Sequence, residues 1–324
     1  MPDKQDTISV IIPAWNAAQM IGRAVDSVLS QSRRADEVIV INDGSTDDTR
    51  RMLESYEDWI RVIHQDNAGA SAARNAGIRA ATGRWIAFLD GDDEWLADHL
   101  ERSMDLLCRY PGLGWVTGNY YRCLCEPRHV KTPDLDGNLL GRARSSLEGE
   151  EVFDSYFSAH QHRAMGCTDT MVIRRELLIE AGLFWEGQKR MNDVDMWLRV
   201  AYLNQRIGYV FEPGAIYHMG VPGSILKQHR DARHIEAFLD RHLELSRQAG
   251  MSEVFKPCAA AMLGTWIQTL LESLKTAEVR HLLGRFGFLF DPYCRITTYI
   301  RTRLPKLSLR YERWKRAVKE SRSL

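Results

Sequence analysis

Four short apolar runs, each followed by a stretch with helical periodicity, fill the first hundred residues. Residues 8–12 (ISVII) are wholly apolar and end at Pro13, as expected for a strand buried on both faces. Residues 37–41 (EVIVI) and 60–63 (IRVI) repeat the pattern, and 84–90 (RWIAFLD) supply a fourth strand. Between the first two runs, Ile21, Ala24, Val25, Val28 and Leu29 share one side of a helix, with Asn16 as a candidate cap. DGSTDDT, from residue 43, turns into a second helix with Ser45 as candidate cap and acids in its first turn. GASAARNAGIRAA forms a third, small-residue helix. Such alternation predicts an α/β domain with a mostly parallel sheet and helices on both faces. Ligands of such sheets bind beyond the carboxyl ends of the strands. Asn16, Asp43 and Asp90 all fall just past predicted strand ends.

Beyond residue 112 the pattern becomes mixed. Residues 126–150 are polar, with Pro, Gly and Arg, and read as a long loop. TDTMVIRREL reads as strand into helix, and DVDMWLRVAYL as a helix with Met196, Trp197, Val200 and Ala201 on one side. From about residue 229 onward every stretch has helical periodicity. A domain boundary is therefore expected near 225, dividing a 1–225 domain (halves 1–112 and 113–225) from a helical 226–324 region.

The 324 residues suffice for one large domain with an accessory region. Lys plus Arg equals Asp plus Glu at 43 each, so overall charge selects no partner. The six cysteines are scattered, and only Cys123 and Cys125 are close, which is poor zinc spacing; reduced thiols are expected. The N-terminus carries no signal-peptide pattern, and the longest apolar run, 258–271, is too short to span a bilayer. These features lead us to expect a cytoplasmic protein.

The most charged short segment is AFLDGDDEWL (87–96), with three aspartates in four positions after a buried strand. Like charges this close resist ionisation beside one another. Either the turn is solvated, or a cation joins it. Aspartate oxygens at this spacing suit Mg²⁺ or Mn²⁺, which keep waters and bridge substrate phosphates. A calcium loop in DGSTDDTRRMLE is rejected, because Asp48 occupies the obligatory glycine position and a strand precedes it. The first strand is followed by no G-x-G-x-x-G, and no G-x-x-x-x-G-K-[ST] occurs, so dinucleotide and P-loop enzymes are unsupported.

VIIPAWNA, VINDGSTDDT, NAGASAARNAGIRAATGRWIAFLDGDDEW and NDVDMWLRVA occur in that order. Together they closely resemble the family 2 glycosyltransferases over residues 8–224. The resemblance implies a GT-A fold and an inverting hexosyltransferase that uses a nucleotide-diphospho-sugar, with UDP the expected nucleotide. The 1–112 half would bind the donor and the 113–225 half the acceptor, a saccharide or lipid-linked saccharide. A role in cell-surface polysaccharide or glycolipid synthesis follows from the same likeness.

The likeness also assigns residues. Pro13 and Trp15 would line the donor site, the indole lying against the base. Asp43 would accept a hydrogen bond from the base, and Arg74 would sit near the nucleotide. Asp90 and Asp92 match the family D-x-D, with Asp90 on ribose or a metal-bound water and Asp92 on the metal. Asp93 would stand behind them, or cap a helix starting at Glu94. His218, in YHMGVPGS, would reach the metal or the diphosphate, with Ser224 a weaker phosphate contact. Where the family carries Glu-Asp, this chain has Asn192-Asp193, so Asp193 takes the general-base position and Asp195 is the fallback. A sugar nucleotidyltransferase and a non-catalytic nucleotide-binding scaffold are the competing readings; Asn192 is the feature that favours the scaffold.

Residues 285–324 hold eleven Lys and Arg against three acids, interleaved with aromatics. Such a segment suits an anionic membrane surface, and peripheral attachment to the inner face is the expectation. Nucleic acid is the less favoured partner. A solvated helical cap is the plainer alternative.

Overall fold

A computed structural model describes residues 6–124, 130–147, 150–188, 190–220, 232–304, 306–307 and 310. The chain divides into two compact units, Met1–Ser224 and Ile225–Leu324.

The first unit begins with four parallel strands and the helices between them: β1 (Ile8–Ala14), α1 (Ile21–Leu29), β2 (Glu37–Asp43), α2 (Thr49–Glu54), β3 (Arg61–Gln65), α3 (Ala70–Ala80) and β4 (Trp85–Phe88). β1 pairs in parallel with β2 and β4, and β2 with β3. β1 is almost wholly buried, so it reads as a continuous apolar run. On one face Ile8, Val10 and Ile12 join Val38, Val40 and the inner side of α1 in a single core. On the other face α3 packs closely on β1: a Cβ at Gly77 would meet Ile11 Cγ2 at 2.5 Å. The run of small residues in α3 is what permits that approach.

The chain then adds β5 (Glu94–Trp95), α4 (His99–Arg109), β6 (Trp115–Leu124), β7 (Val130–Pro133), α5 (Gly137–Ser146), β8 (Val152–Phe153), α6 (Tyr156–Gln161), β9 (Val172–Arg174), α7 (Arg175–Glu180), α8 (Asn192–Leu203) and β10 (Ile207–Met219). The strand order is β3-β2-β1-β4-β9-β6-β10-β5, with β7 on β6 and β8 on β10. β10 runs parallel to β6, whereas β9 is antiparallel to both β4 and β6. The result is a mixed sheet whose long pairings are parallel. Because β9 runs against β4, the turn that precedes β9 lies at the carboxyl end of β4.

Several local expectations change. Residues 126–150 are not all loop: β7 and α5 lie within them, and Asp136 caps α5 by accepting the Asn138 and Leu139 N–H groups. Asn16 does not cap α1. It adopts φ 49° and its Oδ1 accepts the Thr46 N–H at 2.8 Å, tying the β1–α1 loop to the β2–α2 loop. Ser45 does not cap α2 either. Its Oγ accepts the Asn16 N–H at 3.0 Å, while Asp47 takes the Thr49 N–H at the helix start.

The second unit is helical: α9 (Ala232–Gln248), α10 (Ser252–Glu272), α11 (Thr276–Phe286) and α12 (Pro292–Arg303). Its core is apolar, with Phe238 and Trp266 edge to face at 5.5 Å and Phe255 fully buried. Among the described residues no helix is long and apolar enough to cross a membrane.

Candidate active site

β1, β2 and β4 deliver Trp15, Asp43 and Asp90 to one edge of the sheet. Trp15 follows the end of β1 and is 56% exposed, so it is not a core tryptophan. Pro13 lies in β1 opposite Ile41. A Cβ at Gly91 would meet the Pro13 carbonyl at 2.9 Å, so the acidic turn rests directly on the end of β1. Asp43 is buried, and protein donors hold its carboxylate. Gln65 Nε2 and the Ala68 N–H donate to Oδ1 at 2.6 and 2.9 Å, and the Gly69 N–H donates to Oδ2 at 2.8 Å. Its first task is therefore to fix the loop leading into α3.

Arg74, on α3, is buried and ion-paired with Asp90 Oδ1 at 2.5 Å. This is no surface pair. Burial alone would lower the guanidinium pKa, but Asp90 outweighs it and the net direction is upward. Arg74 also lies over the Phe184 ring, 5.5 Å from its centroid.

The acidic turn is joined by a carboxylate from a second turn, which sequence reasoning missed. Asp169, in the turn before β9, is buried, and its Oδ1 accepts the Asp90 N–H at 2.8 Å. Its carbonyl accepts from Trp95 Nε1 at 2.6 Å. One ligand atom from each of Asp90, Asp93 and Asp169 lies within 4.8 Å of the others. Asp93 caps no helix, because Glu94–Trp95 is a short strand paired antiparallel with β10. Asp93 is fully buried instead. Its Oδ1 accepts the His218 N–H at 2.6 Å, while its Oδ2 is buried and receives no donor.

Neighbouring carboxylates shift one another strongly. Burial, then Asp90, raises Asp92 to about 6. Burial, then Asp90, raises Asp169 to about 7. Asp93 stands well above the carboxylate range through burial and then Asp169. Arg74 meets only part of this negative charge, and Arg23 Nη2 donates to the Asp92 carbonyl at 2.5 Å. An orphaned, buried carboxylate oxygen among converging acids fits a hard divalent cation. Asp90, Asp93 and Asp169 are the acids whose ligand atoms converge, whereas the set expected from the sequence is Asp90, Asp92 and His218. The His218 ring turns to Glu94, with Nε2 3.1 Å from Oε1, and burial lowers its pKa. Ser224 lies outside the described residues.

Asp193 and Asp195 open α8 but occupy different surroundings. Asp193 is half-buried; its Oδ1 accepts the Val194 N–H at 2.8 Å, and burial raises its pKa while Arg74 opposes the rise. Asn192 anchors this corner, donating to Ser71 Oγ at 2.9 Å and accepting the Asp193 N–H at 3.0 Å. Asp195 is fully buried, with Arg199 Nε and Nη2 on its Oδ2 at 2.9 and 2.7 Å. That pairing gives Asp195 a structural role and leaves Asp193 the more open of the two acids. Trp197 is core, packed against Phe88 and Phe184.

A parallel nucleotide-type half-sheet, extended by an antiparallel strand and edged with converging aspartates, defines a transferase of the GT-A class. The chain belongs to glycosyl transferase family 2, whose description matches residues 9–181. It is 28% identical over 246 residues to the uncharacterized glycosyltransferase EpsJ of Bacillus subtilis, covering 75% of this chain and 68% of that protein. It is 41% identical over 180 residues to TuaG of Bacillus subtilis, provisionally described as a teichuronic acid biosynthesis glycosyltransferase, covering 54% and 66%. The chain thus spans about two thirds of each relative's length. Its fold matches that of S. aureus TarS 1–349 in complex with UDP-GlcNAc, with a TM-score of 0.59 at 20% identity, covering 94% of this chain and 92% of that one.

Proposed function

We propose that this chain is an inverting hexosyltransferase that moves a sugar from a UDP-sugar to a hydroxyl of a saccharide or lipid-linked saccharide, in synthesis of a cell-surface polymer. The carrying observation is the convergence of Asp90, Asp93 and Asp169 at the strand ends, with one buried oxygen lacking a donor. Mn²⁺ or Mg²⁺ held by that trio would neutralise the diphosphate as it leaves. The exposed indole of Trp15 offers a face for the base, and the rigid Asp43 loop borders it. Arg74 fixes Asp90 and lies close enough to bias Asp193. The acceptor oxygen attacks the anomeric carbon as the carbon–phosphate-oxygen bond breaks. Asp193 receives the hydroxyl proton, and its raised pKa suits that task. Asn192 holds Asp193 in place, so its presence does not argue for a scaffold. UDP is favoured because TarS was solved with UDP-GlcNAc, and the polymer role because of the description of TuaG.

Thermal unfolding with UDP, GDP, dTDP and CDP, each with and without Mn²⁺ or Mg²⁺, tests the reading. At about 100-fold excess over Kd the cognate pair should add about 2.7 kcal/mol. The gain should require metal and disappear in Asp93→Asn. If no nucleoside diphosphate stabilises the protein in any metal, the donor assignment fails.

A further inference from the structure

Helix α12 keeps little of itself inside. Thr302 is its one buried residue, Thr298 is partly covered one turn before it, and Thr297 and Arg301 are partly covered as well. Tyr293, Ile296 and Ile300 follow a three- then four-residue spacing, which places them along one stripe. They are 77%, 59% and 50% exposed. Leu304 and Leu307 continue the exposed apolar series past the helix end. Arg303, Lys306 and Arg310 are exposed along the same segment. From Pro292 to Arg310 there are five basic residues and no acid, in a chain whose total charges balance.

We propose that this face of α12 docks on an anionic lipid bilayer, with Tyr293, Ile296 and Ile300 entering the interface and Arg303, Lys306 and Arg310 meeting the head groups. An exposed apolar stripe beside a purely basic flank is the arrangement that adsorbs to such surfaces, since aliphatic burial and charge attraction act together. A second copy of the same face is a poorer occupant, because it would bring Arg303, Lys306 and Arg310 of each copy against like charges, with no acid in residues 292–310 to offset them. Nucleic acid would meet the basic residues and find the Tyr293 ring, but it would leave the aliphatic Ile296, Ile300 and Leu304 uncovered, which a bilayer would bury. The proposal does not depend on the donor or on the chemistry at Asp193.

The test is vesicle flotation of the full chain with phosphatidylcholine alone and with phosphatidylcholine containing phosphatidylglycerol. Wild type should float with the anionic vesicles and much less with the neutral ones, and raised salt should weaken it. Ile296→Asp/Ile300→Asp and, separately, Lys306→Glu/Arg310→Glu should each weaken partition at least tenfold while melting like wild type. Equal flotation of both variants and wild type overturns the proposal, as does failure of wild type to float. Sedimentation of wild type as a dimer, with the Ile296→Asp/Ile300→Asp chain monomeric and neither floating, assigns the face to a second copy instead.

Discussion

Asp169 accepts the Asp90 N–H and stands against Asp93, so three carboxylates share a space with too few donors. Without metal, the folded protein should hold protons there that the unfolded chain releases. Asp92 and Asp169 move from 3.8 to about 6 and about 7, upward in the folded state. Their contribution to stability is complete below the unfolded value and is lost as pH rises through about 6 to 7. Calorimetry in chelator should therefore show the melting temperature falling from pH 5 to pH 8, by an amount on the order of a few kcal/mol in free energy. Asp169→Asn should flatten that slope. Mn²⁺ should reverse it, because cation binding needs the ionised form. A slope unchanged in Asp169→Asn would mean that Asp169 does not titrate as the geometry requires. Much of this site was legible: Asp90, Asp92 and Asp93 announce themselves as a run after an apolar strand. Asp169 does not, because its side of the site depends on an antiparallel register linking residues 79 apart, and TDT carries no spacing signal of its own.

Helix α8 shows how one element separates two similar acids. Asp193 and Asp195 are two positions apart, so the 3.6-residue period turns them to different sides. One lies half-buried beside Arg74's field, and the other is locked onto Arg199 one turn along. Asp193→Asn should lower turnover by about 10²–10⁴-fold with little change in melting temperature. Asp195→Asn should act on the fold, costing about 3 kcal/mol by leaving Arg199 without its buried partner. Turnover assays run beside thermal melts distinguish the two, and a stable, inactive Asp195→Asn protein would reverse the roles. The helix itself was legible from Met196, Trp197 and Val200, and the first four strands were legible from their apolar runs. The element α5 was not: at ten residues, polar, with one buried side chain, it has too little apolar period to stand out from a loop.

The proposed metal trio draws on both halves of the Met1–Ser224 unit. Asp90 and Asp93 come from the β4–β5 turn, Asp169 from the turn before β9, and the His218 N–H of β10 closes on Asp93. A ligand bound there should tie β9 and β10 to the nucleotide-type strands, and the effect should be readable strand by strand. Amides that exchange only by opening the unit should slow by about 100-fold at 100-fold excess of metal and nucleoside diphosphate over Kd. In hydrogen exchange with UDP and Mn²⁺, that protection should reach Val172–Arg174 and the His218 amide as well as the ends of β1 and β2. Asp169→Ala should remove the gain in β9 and leave the gain beside Trp15 and Asp43. The contrast follows from topology, because the side chain that would tie β9 to the ligand is Asp169, whereas β1 and β2 reach the site through their own strand ends. Protection confined to the first four strands in the wild type would place the cation on the D-x-D turn alone, with Asp169 serving only to hold the Asp90 backbone.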